Sequence, residues 1–125
     1  MAINNYIISV GSNSNDREVQ IKDVLNWLAL LFEEMKSSST YNTAAINGKD
    51  SDYLNAIISG NSDLDFDQLN TKFKHYESLS GRNEKSNANG SIPIDIDIVI
   101  YNNEIIRERD FKQSFFQIGW QQIII

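Results

Sequence analysis

The segment Ile94-Asp95-Ile96-Asp97-Ile98-Val99-Ile100 constrains this chain more than any other. Alternating β-branched apolar and charged residues has the two-residue period of a strand, and a helix would not sort them onto two faces. The even-numbered isoleucines should then share a face turned to a core. Asp95 and Asp97 should share the other, about 7 Å apart. Aspartate is disfavoured in strands and neighbouring like charges repel, so the pair calls for a compensating positive charge. Magnesium takes one or two protein carboxylates with phosphate oxygens and waters, which suits such a strand, facing a cleft, to a nucleotide–metal complex. The same two aspartates also suit a solvated sheet face that keeps the protein soluble and discourages edge pairing.

The rest of the chain supplies partners for that strand. Residues 5–10, Asn-Tyr-Ile-Ile-Ser-Val, read as a strand stopped by Gly11-Ser12-Asn13. Asn15 and Glu18 form a capping-box-like start, and Ile21, Val24, Leu25, Leu28, Leu31, Phe32 and Met35 recur on one face, predicting a helix over 16–35. Residues 37–43 and 53–60 read as strands joined by a long loop, and Phe66, Leu69, Phe73 and Tyr76 as a second helix that stops near Gly81. Residues 80–91 are turn formers with one alanine, predicting a long mobile loop of the kind that often serves as a lid. Asn102-Asn103 suits a two-residue hairpin turn into Glu104-Ile105-Ile106, and residues 109–125 suit a closing helix. The order is that of an α+β, ferredoxin-like βαββαβ sandwich: a mainly antiparallel sheet with its helices on one face and an added hairpin strand.

Composition bounds the function. At 125 residues one domain, 1–125, is expected, and an apolar fraction of 41% can build its core. A net charge of −6 argues against nucleic acid as a partner, so an anionic ligand would need local cations or a metal. The apolar stretches are too short to span a bilayer and no signal pattern opens the chain, so a cytoplasmic monomer is expected. With no cysteine, thiolate metal sites and cysteine nucleophiles are excluded. Gly48-Lys49 is followed by Asp50 and lacks the earlier glycine of a phosphate-binding P-loop.

Tyr53 and Asn55 share a strand face, pairing an aromatic platform with an amide that can donate and accept at a flat polar heterocycle. A half-buried tyrosine beside an ordinary polar residue reads the same way. Arg82 could contact phosphate or merely complement a helix C-terminus.

In order and spacing, Gly11-Ser12-Asn13, Tyr53-Leu54-Asn55-Ala56, Glu77 with Gly81-Arg82, and Asp95-Ile96-Asp97 resemble the 6-hydroxymethyl-7,8-dihydropterin pyrophosphokinases of folate biosynthesis. The resemblance covers roughly residues 5–106. It implies a transferase that moves diphosphate from ATP to a reduced pterin, with magnesium held by Asp95 and Asp97 and with Arg82 as a catalytic cation. It also implies a pterin pocket including Thr43, Tyr53 and Asn55, with Phe115 or Phe116 on the pterin's second face, and a nucleotide side including Glu77, Lys74 and Arg82. The chain departs from the family's pattern in several places: it is short, Thr43-Ala44-Ala45 stands for the usual Thr-Pro-Pro, and the C-terminal Pro-His and basic segment has no clear match. Further arginines usual after Gly81-Arg82 are absent, and Asn89-Gly90-Ser91-Ile92-Pro93 stands where a Trp-Gly-Pro-Arg-like stretch is usual. Unless Lys74, Lys85 or the Arg107-Glu108-Arg109 segment supplies phosphate contacts, a non-catalytic relative that binds a pterin or nucleotide, or an interaction domain, is the alternative.

Overall fold

The computed structural model describes residues 3–82 and 90–124. The elements, in chain order, are β1 (Asn4–Ser12), α1 (Arg17–Leu31), β2 (Glu33–Ser37), β3 (Tyr41–Thr43), β4 (Tyr53–Ser62), α2 (Phe66–Leu79), β5 (Asp95–Tyr101), β6 (Glu104–Ile105), α3 (Glu108–Phe111) and α4 (Ser114–Ile123). The strands form one sheet in the order β2-β4-β1-β5-β6, with β3 also on β4, and every pairing is antiparallel. The fold is therefore α+β.

Alternation along the three central strands makes two different faces. Tyr6, Ile8 and Val10 of β1, Ala56 and Ile58 of β4, and Ile96 and Ile98 of β5 join Ile94 against one stripe of each long helix. The stripes are Ile21, Val24 and Leu28 of α1, and Leu69 and Phe73 of α2. Asp65 caps α2 in a reciprocal box: its carboxylate accepts from the Gln68 amide, and the Gln68 side chain accepts from the Asp65 amide. No such box opens α1. Its N-cap is Asp16, whose carboxylate is taken up by Ser14 and Gln20 instead of by the helix.

Two expectations for residues 16–43 are corrected. The first helix ends at Leu31 and not near Met35, because Phe32 turns extended and lays its ring edge-on against Tyr6, 5.9 Å away. The residues after it form β2, whose ladder is interrupted at Glu34, a residue with φ of 54°. The strand expected over 37–43 is thus two short strands, and both pair with β4.

The helices also do not all lie on one face. α4 packs on the opposite side of the sheet, where Phe116 and Trp120 meet Ile57, Val99 and Ile7. Ile100 joins this second cluster although Ile94, Ile96 and Ile98 lie in the first. The cause is a bulge: Ile8 pairs with Ile98 but Ile7 pairs with Ile100, so Val99 is the extra residue on β5. The Asn102-Asn103 turn forms as expected, with both residues at positive φ, 49° and 68°. The mobile-loop expectation for 80–91 falls mostly on residues 83–89, which lie outside the described residues.

α4 can approach so closely because residue 119 has no side chain. A β-carbon there would lie 2.4 Å from Ile57 Cγ1 and 2.7 Å from the Tyr41 hydroxyl. The same hydroxyl donates to the Phe115 carbonyl and accepts from the Gly119 amide at 3.1 Å, which pins the first turn and the middle of α4 to β3. Burial pushes the Tyr41 pKa up to about 12, so the hydroxyl keeps its proton. Helix propensity alone favours Gly→Ala by about 1 kcal/mol. Overpacking costs typically 1–3 kcal/mol. Gly119→Ala is therefore expected to destabilise the protein, with a lower midpoint in urea. A stabilised variant would show that α4 is not seated as described.

Candidate functional site

The second sheet face is divided in two. Where Ile7, Ile57 and Val99 point outward, α4 covers them. Towards the other end of the same strands those positions become Ser9 and Gly11 on β1, Asn55 and Tyr53 on β4, and Asp97 and Asp95 on β5. α4 does not cover this half, and these six residues border a cavity of about 400 Å³.

The ladder dictates the layout. Gly11 is paired with Asn55 on one side and Asp95 on the other, and Ser9 lies between Ile57 and Asp97. Small residues on the central strand make a floor, with one wall carrying an aromatic ring and an amide and the other carrying two carboxylates. A β-carbon on Gly11 would come within 3.3 Å of Asn55 Oδ1 and 3.4 Å of the Tyr53 ring. That floor has little spare room.

Asn55 is buried, and its Nδ2 donates to Thr43 Oγ1 at 2.8 Å and to the Tyr41 and Tyr53 carbonyls at 3.3 Å. The donor end of the amide therefore holds β3 in place while Oδ1 lies over Gly11. Thr43 and Phe115 also line the cavity, so five sequence-predicted residues (Thr43, Tyr53, Asn55, Asp95 and Asp97) come together there with Phe115. Phe116, offered as an alternative to Phe115, does not. It is fully buried and packs against Phe111 and Trp120, because adjacent residues of a helix point about 100° apart.

Behind the acidic wall lies a network of alternating charge. Glu77 falls on the apolar stripe of α2 one turn after Phe73 and is buried. Its Oε2 accepts from the Ile96 amide at 2.8 Å and from Lys74 Nζ at 3.0 Å, and its Oε1 accepts from Arg82 at 3.2 Å. Lys74 continues to Asp97 at 3.3 Å and Arg82 to Asp95 at 2.7 Å. Glu77, Lys74 and Arg82 thus stand behind the two aspartates and do not line the cavity.

The two carboxyls differ in kind. Burial, then the neighbouring Asp95 charge and hydrogen bond, pushes Asp97 up to about 7 despite Lys74 and Arg107. Burial works against Asp95 as well, but hydrogen bonds from Asp97 and Arg82 outweigh it and hold Asp95 below the usual carboxylate range. Burial also acts first on Lys74 and Arg82, lowering both, and their acidic neighbours more than restore them.

Sequence reasoning missed several groups around this site. Ser9 and Gly11 were legible as small residues at i and i+2 on one face of a strand. Asn13 is buried and ties the rim together: its Nδ2 donates to the Gly90 carbonyl at 2.7 Å and its Oδ1 accepts from the Ile92 amide at 2.6 Å. Asp50 and Asp110 also reach the cavity, from segments whose path no local pattern specifies, and of the Arg107-Glu108-Arg109 segment offered for phosphate contacts it is Arg107 that lines it.

Comparison with known proteins shows the family of the chain. The family model described as 7,8-dihydro-6-hydroxymethylpterin-pyrophosphokinase (HPPK) matches residues 7–125. A 2-amino-4-hydroxy-6-hydroxymethyldihydropteridine pyrophosphokinase of Aquifex aeolicus is 31% identical over 106 residues. That match covers 84% of this chain and 66% of the relative, slightly under two thirds of its length.

The raised Asp97 pKa has a consequence for stability. A carboxyl whose folded pKa lies above its unfolded value favours the folded state at low pH and loses that contribution as pH rises through the folded pKa. For Asp97 this window runs from the ordinary 3.8 to about 7, whereas the opposite effect of Asp95 lies below 3.8. In metal-free buffer the melting temperature should fall between pH 5 and pH 8. Asp97→Asn, which mimics the protonated acid, should flatten that fall and melt higher than the parent at pH 8. An unchanged pH dependence in the variant would assign the effect to other groups.

Proposed function

Because the chain belongs to the 7,8-dihydro-6-hydroxymethylpterin-pyrophosphokinase family, we propose that it transfers the β,γ-diphosphate of ATP to the hydroxymethyl group of a reduced pterin, a step of folate biosynthesis. One observation carries this reading. Across a floor of Ser9 and Gly11, a wall able to bind a flat polar heterocycle faces a wall able to bind a phosphate-bound cation. The strand order, with β1 between β4 and β5 and both long helices on one face, supports reading the fold as a ferredoxin-like sandwich with an added hairpin strand and a C-terminal helix on the other face.

In this reading Tyr53 and Phe115 supply aromatic surface for the pterin ring, and Asn55 Oδ1 accepts from one of its N–H groups. Thr43 acts through Asn55, since its hydroxyl fixes which end of the amide faces the ligand. Asp95 and Asp97 fit magnesium: they are adjacent carboxylates on one strand, and Asp97 is driven toward protonation when no dication shares the charge. They would hold the ion, which supplies neutralising charge to the phosphates.

Lys74 and Arg82, held against the aspartates by Glu77, add positive charge on the nucleotide side. The pterin hydroxyl oxygen bonds to the β-phosphorus and the bond from that phosphorus to the bridging oxygen breaks. AMP leaves with the bonding pair and the hydroxyl proton is released. Such a transfer asks the protein chiefly for alignment and charge neutralisation.

The decisive assay is AMP formation from ATP and magnesium with and without 6-hydroxymethyl-7,8-dihydropterin. AMP is expected only with the pterin present. Asp95→Ala or Asp97→Ala should lower that rate by at least about two powers of ten, the scale for losing one transition-state contact, while the circular dichroism spectrum stays unchanged. Pterin and nucleotide binding without AMP would make the protein a non-catalytic relative. Binding of neither would overturn the reading.

A further inference from the structure

Among the described residues that line the cavity, the acids are Asp50, Asp95, Asp97 and Asp110, and one cation stands with them, Arg107. Lys74 and Arg82 approach the same aspartates from behind, each held by the buried Glu77. Arg107 comes from the opposite side. Its backbone is fixed by the bulge on β5, since the Val99 carbonyl accepts from both the Ile106 amide at 2.9 Å and the Arg107 amide at 3.4 Å. Its half-exposed guanidinium bonds Asp110 at 2.5 Å through Nε and stands 3.9 Å from Asp97 through Nη1.

Resting on the diphosphotransfer reading above, we infer that Arg107 is a phosphate-contacting residue of this site, serving the phosphates beyond the α position. Its two anionic neighbours differ in strength. The Asp110 bond is short and local in sequence, so it anchors the side chain, whereas the Asp97 contact is at the limit of an ion pair and is easily given up. With magnesium held by the aspartates, Asp97 would no longer need the guanidinium, and phosphates bound there would offer Arg107 a new anion at the same wall, where its planar fork suits paired phosphate oxygens. Arg107 then exchanges Asp97 for phosphate without losing its anchor.

The alternative is that Arg107 only offsets the charge of Asp97, and the two roles predict opposite signs. Calorimetric titrations of wild type and Arg107→Gln with magnesium alone, with α,β-methylene-ATP plus magnesium, and with AMP separate them. Loss of the α,β-methylene-ATP complex by roughly tenfold or more is expected, the size of one charge-assisted contact. AMP affinity should barely change, and magnesium alone should bind as well as before or more tightly. Arg107→Lys, which keeps the charge without the fork, should fall between the two and decides the question if the glutamine variant does not fold. Unchanged or improved affinity for the analogue, or an equal loss for AMP, would overturn the inference while leaving the proposed activity standing. A wild-type protein that binds no analogue would sink both.

Discussion

A carboxylate in the core holds this site together. Glu77 lies at a position of α2 that the helical repeat assigns to packing, one turn beyond Phe73, and it is buried there. Such a charge is tolerated only with partners: removing one member of a buried pair typically costs 3–5 kcal/mol, far more than a surface pair contributes. Among the described residues Glu77 has three, the Ile96 amide, Lys74 and Arg82. The hydrogen bond from the Ile96 amide fastens the helix to β5 between the two aspartates, and the cations reach around the strand to them. The position of the acidic wall and its charge balance thus follow from one buried group.

The second consequence of the sheet is its asymmetry. A three-strand face that alternates apolar and polar residues would ordinarily be solvated on its polar side. Here that side changes character along its length: apolar where Ile7, Ile57 and Val99 receive α4, polar and hollow where Ser9 and Gly11 leave the central strand nearly bare. The bulge at Val99 serves both halves, since it turns Ile100 toward the α4 cluster and presents the carbonyl that holds Arg107. Likewise the Tyr41 hydroxyl, through Phe115 and Gly119, seats α4 so that Phe115 faces the cavity while Phe116 is buried. The boundary between core and cavity is set by a few backbone contacts.

Local pattern was enough for the strand-turn-helix order, the antiparallel hairpin at Asn102-Asn103, and the pairing of Asp95 with Asp97 and of Tyr53 with Asn55 on common faces. Each of these rests on local periodicity or turn chemistry, which residues a few positions apart impose on one another. The sequence also carried the family resemblance, because the motif order survives in one dimension. Long-range packing settled that Glu77 and its two cations lie behind the aspartates, that Phe115 and not Phe116 reaches the cavity, and that Arg107 enters from the far side. It also decided where α1 ends, since Phe32 leaves the helix to pack on Tyr6, a residue 26 positions earlier. Those outcomes depend on contacts between distant segments, on a one-residue bulge and on the room left by Gly11 and Gly119, and none of these appears in a local pattern of side chains.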